Sequence, residues 1–388
     1  MKTRLPIVWG TLLFLVGLII GQQWPSMLFL PATLVALIAK SFLWKHPRTA
    51  AFVGIAFWLL LGCSRMSLHR LLDSEPIGRT EQTLRNKAQQ ITTMLIQRME
   101  REGFEDKDAR ALGTAMLLGD RSELSREIRQ TYSETGTAHL LALSGLHLGV
   151  LYGLFYILFL YWARYTQWRW HALPIMLLCI WGYAFLTGFP VSLIRASIML
   201  SLLTIGSLAE RNMPAIHSLS LAALIILLCW PEAISDIGFM LSFASVFFII
   251  MLYPPLQHHY YKLFSGWGTF LKPLGISLAA QIGTAPLCLY FFHTLPLAAA
   301  LINLLLIPFT SCIVYLGFAA VLFPFPLLVS ALTKVLSAEL RLVEWWSSLP
   351  NITLHDIYIT PWMVVLMYAL LLVGIVRIHQ HISEDRFV

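Results

Sequence analysis

Two imidazoles and a hydroxyl stand close together in His139-Leu-Leu-Ala-Leu-Ser144-Gly145-Leu-His147-Leu-Gly149, at the outer end of an apolar stretch. His139, Leu143 and His147 are four residues apart, so one continuous helix would put both histidines on one face, with Ser144 a turn before His147. Polar groups inside a membrane segment are costly and are functional candidates by default. The plain alternative is a helix whose polar groups are satisfied by neighbouring helices. Ser144 beside His147 also invites an intramembrane hydrolase, but the nucleophile motif Gly-x-Ser-Gly would need glycine where Ala142 stands. Gly145, Gly149 and Gly153 form a stripe at i, i+4 and i+8, which predicts close approach of another helix and burial of the helix that carries the histidines.

A second set lies in Leu186-Thr187-Gly188-Phe189-Pro190-Val191-Ser192-Leu193-Ile194-Arg195-Ala196, where Gly188 and Pro190 break the backbone and Arg195 follows in the next helix. An arginine there needs a counter-charge or an anion. Asp236, which opens a later span on the same predicted side, is the available partner; contact with a phosphate is the other role open to Arg195. Gln281 and Asn303 are single amides in apolar helices and are expected to bond across helices. Trp345-Trp346 reads as an interfacial anchor or, alternatively, as a stacking surface for bases.

The letters contain no His-Glu-x-x-His, no Walker-type loop and no Gly-x-Gly-x-x-Gly, so an ATP-driven motor is not encoded in them. His379-Gln380-His381 has no further ligands close behind it. The five cysteines (Cys63, Cys179, Cys229, Cys288 and Cys312) stand singly in apolar stretches and read as small hydrophobes. No catalytic residue, metal or cofactor is assigned, and the chain is read as a non-enzyme.

The elements that must position these residues are membrane helices. Of the 388 residues 58% are hydrophobic and only 12% charged, with a mean hydropathy of +0.72, whereas a globular domain carries roughly 25% charged residues. That excludes a soluble enzyme. Lys, Arg, Asp and Glu are absent from 5–39, 49–64, 135–163, 170–194, 212–231, 237–261, 273–333 and 357–376, and a span needs about 20 mostly apolar residues. The first run breaks at Gln22-Gln23-Trp24-Pro25 and the 273–333 run near Thr294-Leu295-Pro296 and Pro324-Phe325-Pro326, so the expectation is an all-α polytopic bundle of eleven or twelve spans. The organisation reads as three N-terminal spans in 1–64, an extracytoplasmic amphipathic segment 65–137, a transmembrane channel domain 138–378 and a cytoplasmic tail 379–388.

Loop charges set the orientation. Lys2 and Arg4 place the N-terminus in the cytoplasm, and Lys45, Arg48, Arg164, Arg169, Arg211, Lys262 and Lys272 fall in the loops that follow on that side. No cleavage site follows the first apolar run, which is read as an uncleaved span. Residues 65–137 hold 12 of the 27 basic and 12 of the 20 acidic residues, so all of the +7 lies elsewhere. There Leu84, Ile91, Met94, Leu95 and Met99, then Ala111, Met116, Leu117 and Leu118, recur as amphipathic helices on a membrane face would have them. Residues 327–348 are apolar but carry Lys334, Glu339, Arg341 and Glu344; a crossing there keeps Arg377 and Arg386 cytoplasmic and is preferred.

With Leu117-Leu118-Gly119-Asp120-Arg121 before it, the Gly136 to His147 segment resembles the signature of the ComEC-type competence proteins, inner-membrane DNA channels of natural transformation. Gly188 to Met199 with Arg195, Ile234-Ser-Asp236 through Leu241-Ser242-Phe243, and Gln281-Ile-Gly283-Thr284-Ala285-Pro286 through Asn303 to Pro308 fit the same pattern in the same order, over about residues 110–310. The resemblance implies passage of one DNA strand through a multi-pass protein of the bacterial cytoplasmic membrane, with His139, Ser144, Gly145, His147, Arg195, Asp236, Gln281 and Asn303 as candidates for the path. It implies single-stranded DNA and lipid as partners, and a possible homo-oligomer. Longer relatives carry an OB-like module and a metallo-β-lactamase-like nuclease domain; neither is read here, since 65–137 lacks the alternation of strands. A separate receptor, a separate nuclease, and a cytoplasmic motor or single-strand-binding proteins are therefore expected. A transporter of the same fold for another substrate is the alternative.

Overall fold

The computed structural model describes residues 6–23, 29, 32, 33, 36, 47–71, 77–104, 106–161, 169–208, 214–263, 272–323, 325–349 and 353–384. The second half of the first charge-free run and the basic positions Lys2, Arg4, Lys45, Arg164, Arg211 and Arg386 lie outside the described residues. The protein is an all-α multi-pass membrane bundle. Among the described residues five helices are long and apolar enough to cross a membrane: Val191–Leu208, Ile237–Gln257, Lys272–Phe292, Ala299–Leu322 and Pro361–Ile378. Five shorter apolar helices, Ile7–Gln23, Ile55–Leu68, Gly145–Phe159, Trp170–Leu186 and Ala215–Cys229, stand beside them among the described residues, while the second of the expected spans falls largely outside the described residues.

The chain divides into two compact units, one from residues 1–81 and 210–243 and a larger one from 82–209 and 244–388. In the smaller unit α1 (Pro6–Gln23) packs on α2 (Pro47–Leu71) and on α10 (Ala215–Cys229). Gly17 and Gly62 bring α1 and α2 backbone to backbone: a Cβ on Gly17 would meet Leu59 O at 2.1 Å, and one on Gly62 would meet Phe14 O at 2.3 Å. Arg65 donates to the last carbonyls of α10, from Nε to Leu228 O at 2.7 Å and from a terminal nitrogen to Cys229 O at 3.0 Å, the favourable place for a cation on a helix.

The larger unit begins with α3 (Ile77–Arg101), whose residues from 82 onward belong to it, followed by α4 (Lys107–Leu118), α5 (Arg126–Glu134), α6 (Ala138–Leu141), α7 (Gly145–Phe155), α8 (Arg169–Leu186) and α9 (Val191–Leu208). Beyond α10 come α11 (Ile237–Leu263), which crosses the unit boundary, α12 (Lys272–Phe292), α13 (Ala299–Leu322), α14 (Pro326–Ser347) and α15 (Pro361–Glu384). Local chemistry sets the short helices. The Asp106 carboxylate accepts from the Asp108 and Ala109 amides and caps α4, Gly119 at φ +80° closes it, and Ser125 Oγ accepts from the Ile128 amide to open α5.

Within the polar segment 65–137, α3 and α5 each have one buried and one exposed side, whereas α4 is buried on nearly every side. All of Ala109 and Ala111 to Leu118 is buried in α4, packed with α13 and α14; Gly317 of α13 admits Leu117 so closely that a Cβ there would lie 2.3 Å from it. In α3 the inward stripe is Ala88, Thr92 and Met99, whereas Ile91 and Met94 of the expected stripe are exposed. The small residues Ala88 and Thr92 can approach a neighbour, and Thr92 Oγ1 donates to Leu186 O at 2.9 Å on α8. The two stripes share Met99, and burial turns the helix toward Ala88 and Thr92 rather than toward Ile91 and Met94.

A small clip fixes how α13 and α14 run. Leu295–Pro296 (β1) pairs antiparallel with Thr353–Leu354 (β2), Leu295 opposite Leu354 and Pro296 opposite Thr353. β1 precedes α13 and β2 follows α14, so the far ends of this packed helix pair meet at one end of the unit. α13 is about 36 Å long and α14 about 33 Å, so α14 runs back along α13 for most of its length. Its buried stripe is Val329, Leu332, Leu336, Glu339, Leu340 and Val343.

Candidate functional site

The segment that carries the histidines is not one helix. Ala142 (ψ 136°) and Ser144 (φ −120°, ψ 168°) are extended, so α6 ends at Leu141 and α7 starts at Gly145. The expected single face shared by His139, Leu143 and His147 is therefore absent: His139 is exposed on α6, and His147 is fully buried in α7. The cause is Ser144. Its Oγ accepts from the Leu146 amide at 3.2 Å, capping α7, which a mid-helix serine does not do.

Ser144 and His147 do meet. Ser144 Oγ and His147 Nδ1 are 3.0 Å apart, while His147 Nε2 has no partner among the described residues. One turn of α7 thus holds the imidazole by one nitrogen and leaves the other buried without a hydrogen-bond partner among the described residues.

Other blocks of the sequence converge on this break. Ser192, at the start of α9, donates to Leu143 O at 2.6 Å, joining the Arg195 helix to the loop between α6 and α7. Gly145 faces the same helix, since a Cβ there would stand 3.6 Å from the Ala196 methyl. Arg195 is buried at 5% exposure. The Tyr183 hydroxyl on α8 donates to Leu117 O at 2.9 Å and ties in the end of α4.

On the other side of α6, Gly136 at φ +74° lies against the clip; a Cβ would come within 2.5 Å of Pro296. The Thr353 hydroxyl donates to Glu134 O and the Gln281 amide to Pro296 O. Asn303 Nδ2 on α13 donates to Ser277 Oγ on α12 at 3.1 Å, a bond across helices as expected; Gln281 instead holds the clip. The carbonyl oxygens of both amides are buried and have no partner among the described residues.

The glycine stripe packs differently from expectation. Among the described residues nothing lies within 4 Å of a Cβ built on Gly149 or Gly153, and of the three glycines Gly145 alone meets a neighbour there. The stripe forms an open face of α7 rather than a helix-packing seam. Asp236 belongs to the smaller unit and Arg195 to the larger; Asp236 Oδ1 accepts from the Phe239 amide at 2.6 Å and caps α11.

A further buried polar pair joins α5 to α14. Glu339 lies in the buried stripe of α14, where its Oε1 accepts from the Tyr132 hydroxyl of α5 at 3.3 Å and its Oε2 has no partner among the described residues. Burial, and then the Glu339 charge, push the Tyr132 phenol well above its ordinary value, so it remains a donor. The apolar residues at 329, 332, 336, 340 and 343 already place 339 inside their stripe. Among the described residues no three of His, Cys, Asp or Glu gather where a metal ion could sit.

The family model described as Competence protein matches residues 116–381, from the last turns of α4 through α15 and hence across the whole convergence. The chain belongs to the competence protein family. Among curated members it is 35% identical over 218 residues to ComE operon protein 3 of Bacillus subtilis, covering 55% of this chain and 26% of that protein. It is 30% identical over 292 residues to an uncharacterized protein of Aquifex aeolicus, covering 74% of this chain and 66% of the relative. Recombination protein 2 of Haemophilus influenzae is 26% identical over 213 residues, 51% of this chain and 26% of its own length. The chain thus matches about a quarter of the length of ComE operon protein 3 and of Recombination protein 2. No solved structure matches it.

Proposed function

We propose that this protein serves DNA uptake in natural transformation, conducting a single DNA strand across the bacterial cytoplasmic membrane into the cell. The observation that carries the reading is that the competence match at 116–381 covers the Gly136 to His147 segment together with the elements bonded to it. In this reading the polar atoms left open inside an apolar bundle, His147 Nε2, Gln281 Oε1 and Asn303 Oδ1, border the path, with the open face of α7 at Gly149 and Gly153. Arg195 either pairs with Asp236 or meets a phosphate. The N-terminus lies in the cytoplasm, by the distribution of Lys and Arg. Single-stranded DNA and lipid are the direct partners; a receptor outside, a nuclease and a cytoplasmic motor or single-strand-binding proteins act with it, and the chain acts as a channel rather than an enzyme.

The test is internalisation of labelled duplex DNA by cells deleted for this gene, scored as nuclease-resistant single strand in the cytoplasm against the complemented strain. Loss of that strand with DNA still bound outside is expected. Unchanged uptake in a transformable host would overturn the reading in favour of a transporter for another substrate.

One observation favours a second reading. The 3.0 Å contact between Ser144 Oγ and His147 Nδ1 is the distance a nucleophile and its base would adopt. An intramembrane hydrolase would use that pair.

A further inference from the structure

Three residues outside glycine hold a positive φ among the described residues, and two of them face each other across the clip: His293 at +56° and Asp356 at +59°. Such conformations are costly and persist where surrounding structure enforces them. Here the enforcement is visible. The Ile357 amide donates to His293 O at 3.1 Å, and the pairing of Leu295 with Leu354 and of Pro296 with Thr353 continues it. The result brings the Tyr358 ring onto the His293 imidazole, centroids 4.4 Å apart and planes 35° from parallel. Tyr358 is 72% exposed, so its outer face is free.

We propose that the Tyr358 ring, backed by His293, is a stacking platform for an unpaired base at the mouth of the path; the inference rests on the single-strand reading above. Its place argues for this occupant. The clip that presents the ring is bonded through Thr353 to Glu134 and packed through Pro296 on Gly136, the residues that lead into His139 and His147. A ring serving only as an interfacial anchor needs no such tie. Every base has a π-face, so stacking on a ring holds a strand without reading its sequence. A backbone held off its preferred conformation keeps the platform in one orientation while successive bases pass.

The experiment uses the full chain in lipid nanodiscs with fluorescent oligothymidylate and a duplex of equal length. The unaltered protein is expected to bind the single strand in preference. Tyr358→Ala weakens that binding by roughly five-fold or more, the factor one stacked base supplies at the low end, Tyr358→Trp restores it, and Trp9→Ala, which removes an exposed ring of α1, leaves it unchanged. An oligonucleotide carrying 5-iodouracil is expected to crosslink to the peptide containing Tyr358 in the unaltered protein, a readout independent of how the variants fold. Single-strand binding that Tyr358→Ala leaves unchanged, with no crosslink at Tyr358, would overturn the platform and spare the DNA reading. No binding by the unaltered protein would overturn both. Loss of Tyr358→Ala from the bilayer at unaltered affinity would make the ring a lipid anchor instead.

Discussion

The Tyr132 hydroxyl of α5 reaches Glu339 of α14 at 3.3 Å, and both side chains are completely buried. They are 207 residues apart in the chain, so the bond joins the polar segment before the signature to a helix well beyond it. A buried carboxyl with one oxygen unpartnered among the described residues depends on the donor that it has there. Tyr132→Phe is therefore expected to destabilise the protein by about 1–3 kcal/mol, the cost of orphaning a buried polar group, read as a lower thermal unfolding midpoint in detergent. Glu339→Gln keeps an acceptor without a charge and should match or exceed the parent. A lower midpoint for Glu339→Gln than for Tyr132→Phe would show that the carboxyl has another role.

Ser144 has two partners, the Leu146 amide and His147 Nδ1. Ser144→Ala removes a helix cap, worth about 1 kcal/mol, and is expected to lower the amount of folded protein while uptake per molecule changes only modestly. A hydrolase would instead lose its rate by orders of magnitude at normal protein level. Quantifying membrane protein and single-strand uptake in the same cells separates the two.

Charge reversal at Arg195, buried in α9, is expected to cripple the protein, because a buried carboxylate without its partner is costly. If Arg195 pairs with Asp236, the double change Arg195→Asp with Asp236→Arg recovers membrane accumulation. Accumulation that stays low in the double variant would assign Arg195 to another contact. His147→Ala, by contrast, should reduce transport at a normal membrane level; loss of the protein would return His147 to packing.

The fold class was legible because it rests on quantities a sequence carries plainly: the charge-free runs, and Thr294-Leu295-Pro296, where the clip does divide α12 from α13. The exchange of roles within 65–137 was not. Whether Ile91 or Ala88 faces inward depends on which side the neighbour is small enough to accept, and that neighbour, Leu186 on α8, is 94 residues from its partner Thr92. In the same way, periodicity put His139 and His147 on one helix because Leu, Ala and Ser all fit a helix; the cap formed by Ser144 competes with that pattern and wins locally. Glycine spacing is ambiguous for a related reason. A stripe of glycines says only that side chains are absent, and at Gly149 and Gly153 that absence leaves space, whereas at Gly17 and Gly62 it brings two backbones together. The position of Glu339 in the apolar stripe of α14 can be read from the sequence, but which of the four charges of that helix is buried depends on the Tyr132 hydroxyl, which comes from 207 residues away.

The two kinds of glycine give the sharpest mutational contrast. Gly136 sits at φ +74° with Pro296 2.5 Å from a Cβ, so Gly136→Ala adds the left-handed penalty of roughly 1–2 kcal/mol to a clash with the clip, and the folded amount should fall. Gly149→Ala meets nothing within 4 Å among the described residues and lies inside α7, where alanine is favoured over glycine by about 1 kcal/mol; its folded amount should hold or rise. Gly149→Trp then fills the open face. Uptake that falls with Gly149→Trp at constant protein level places the path along α7, and uptake that is unchanged removes this face from it.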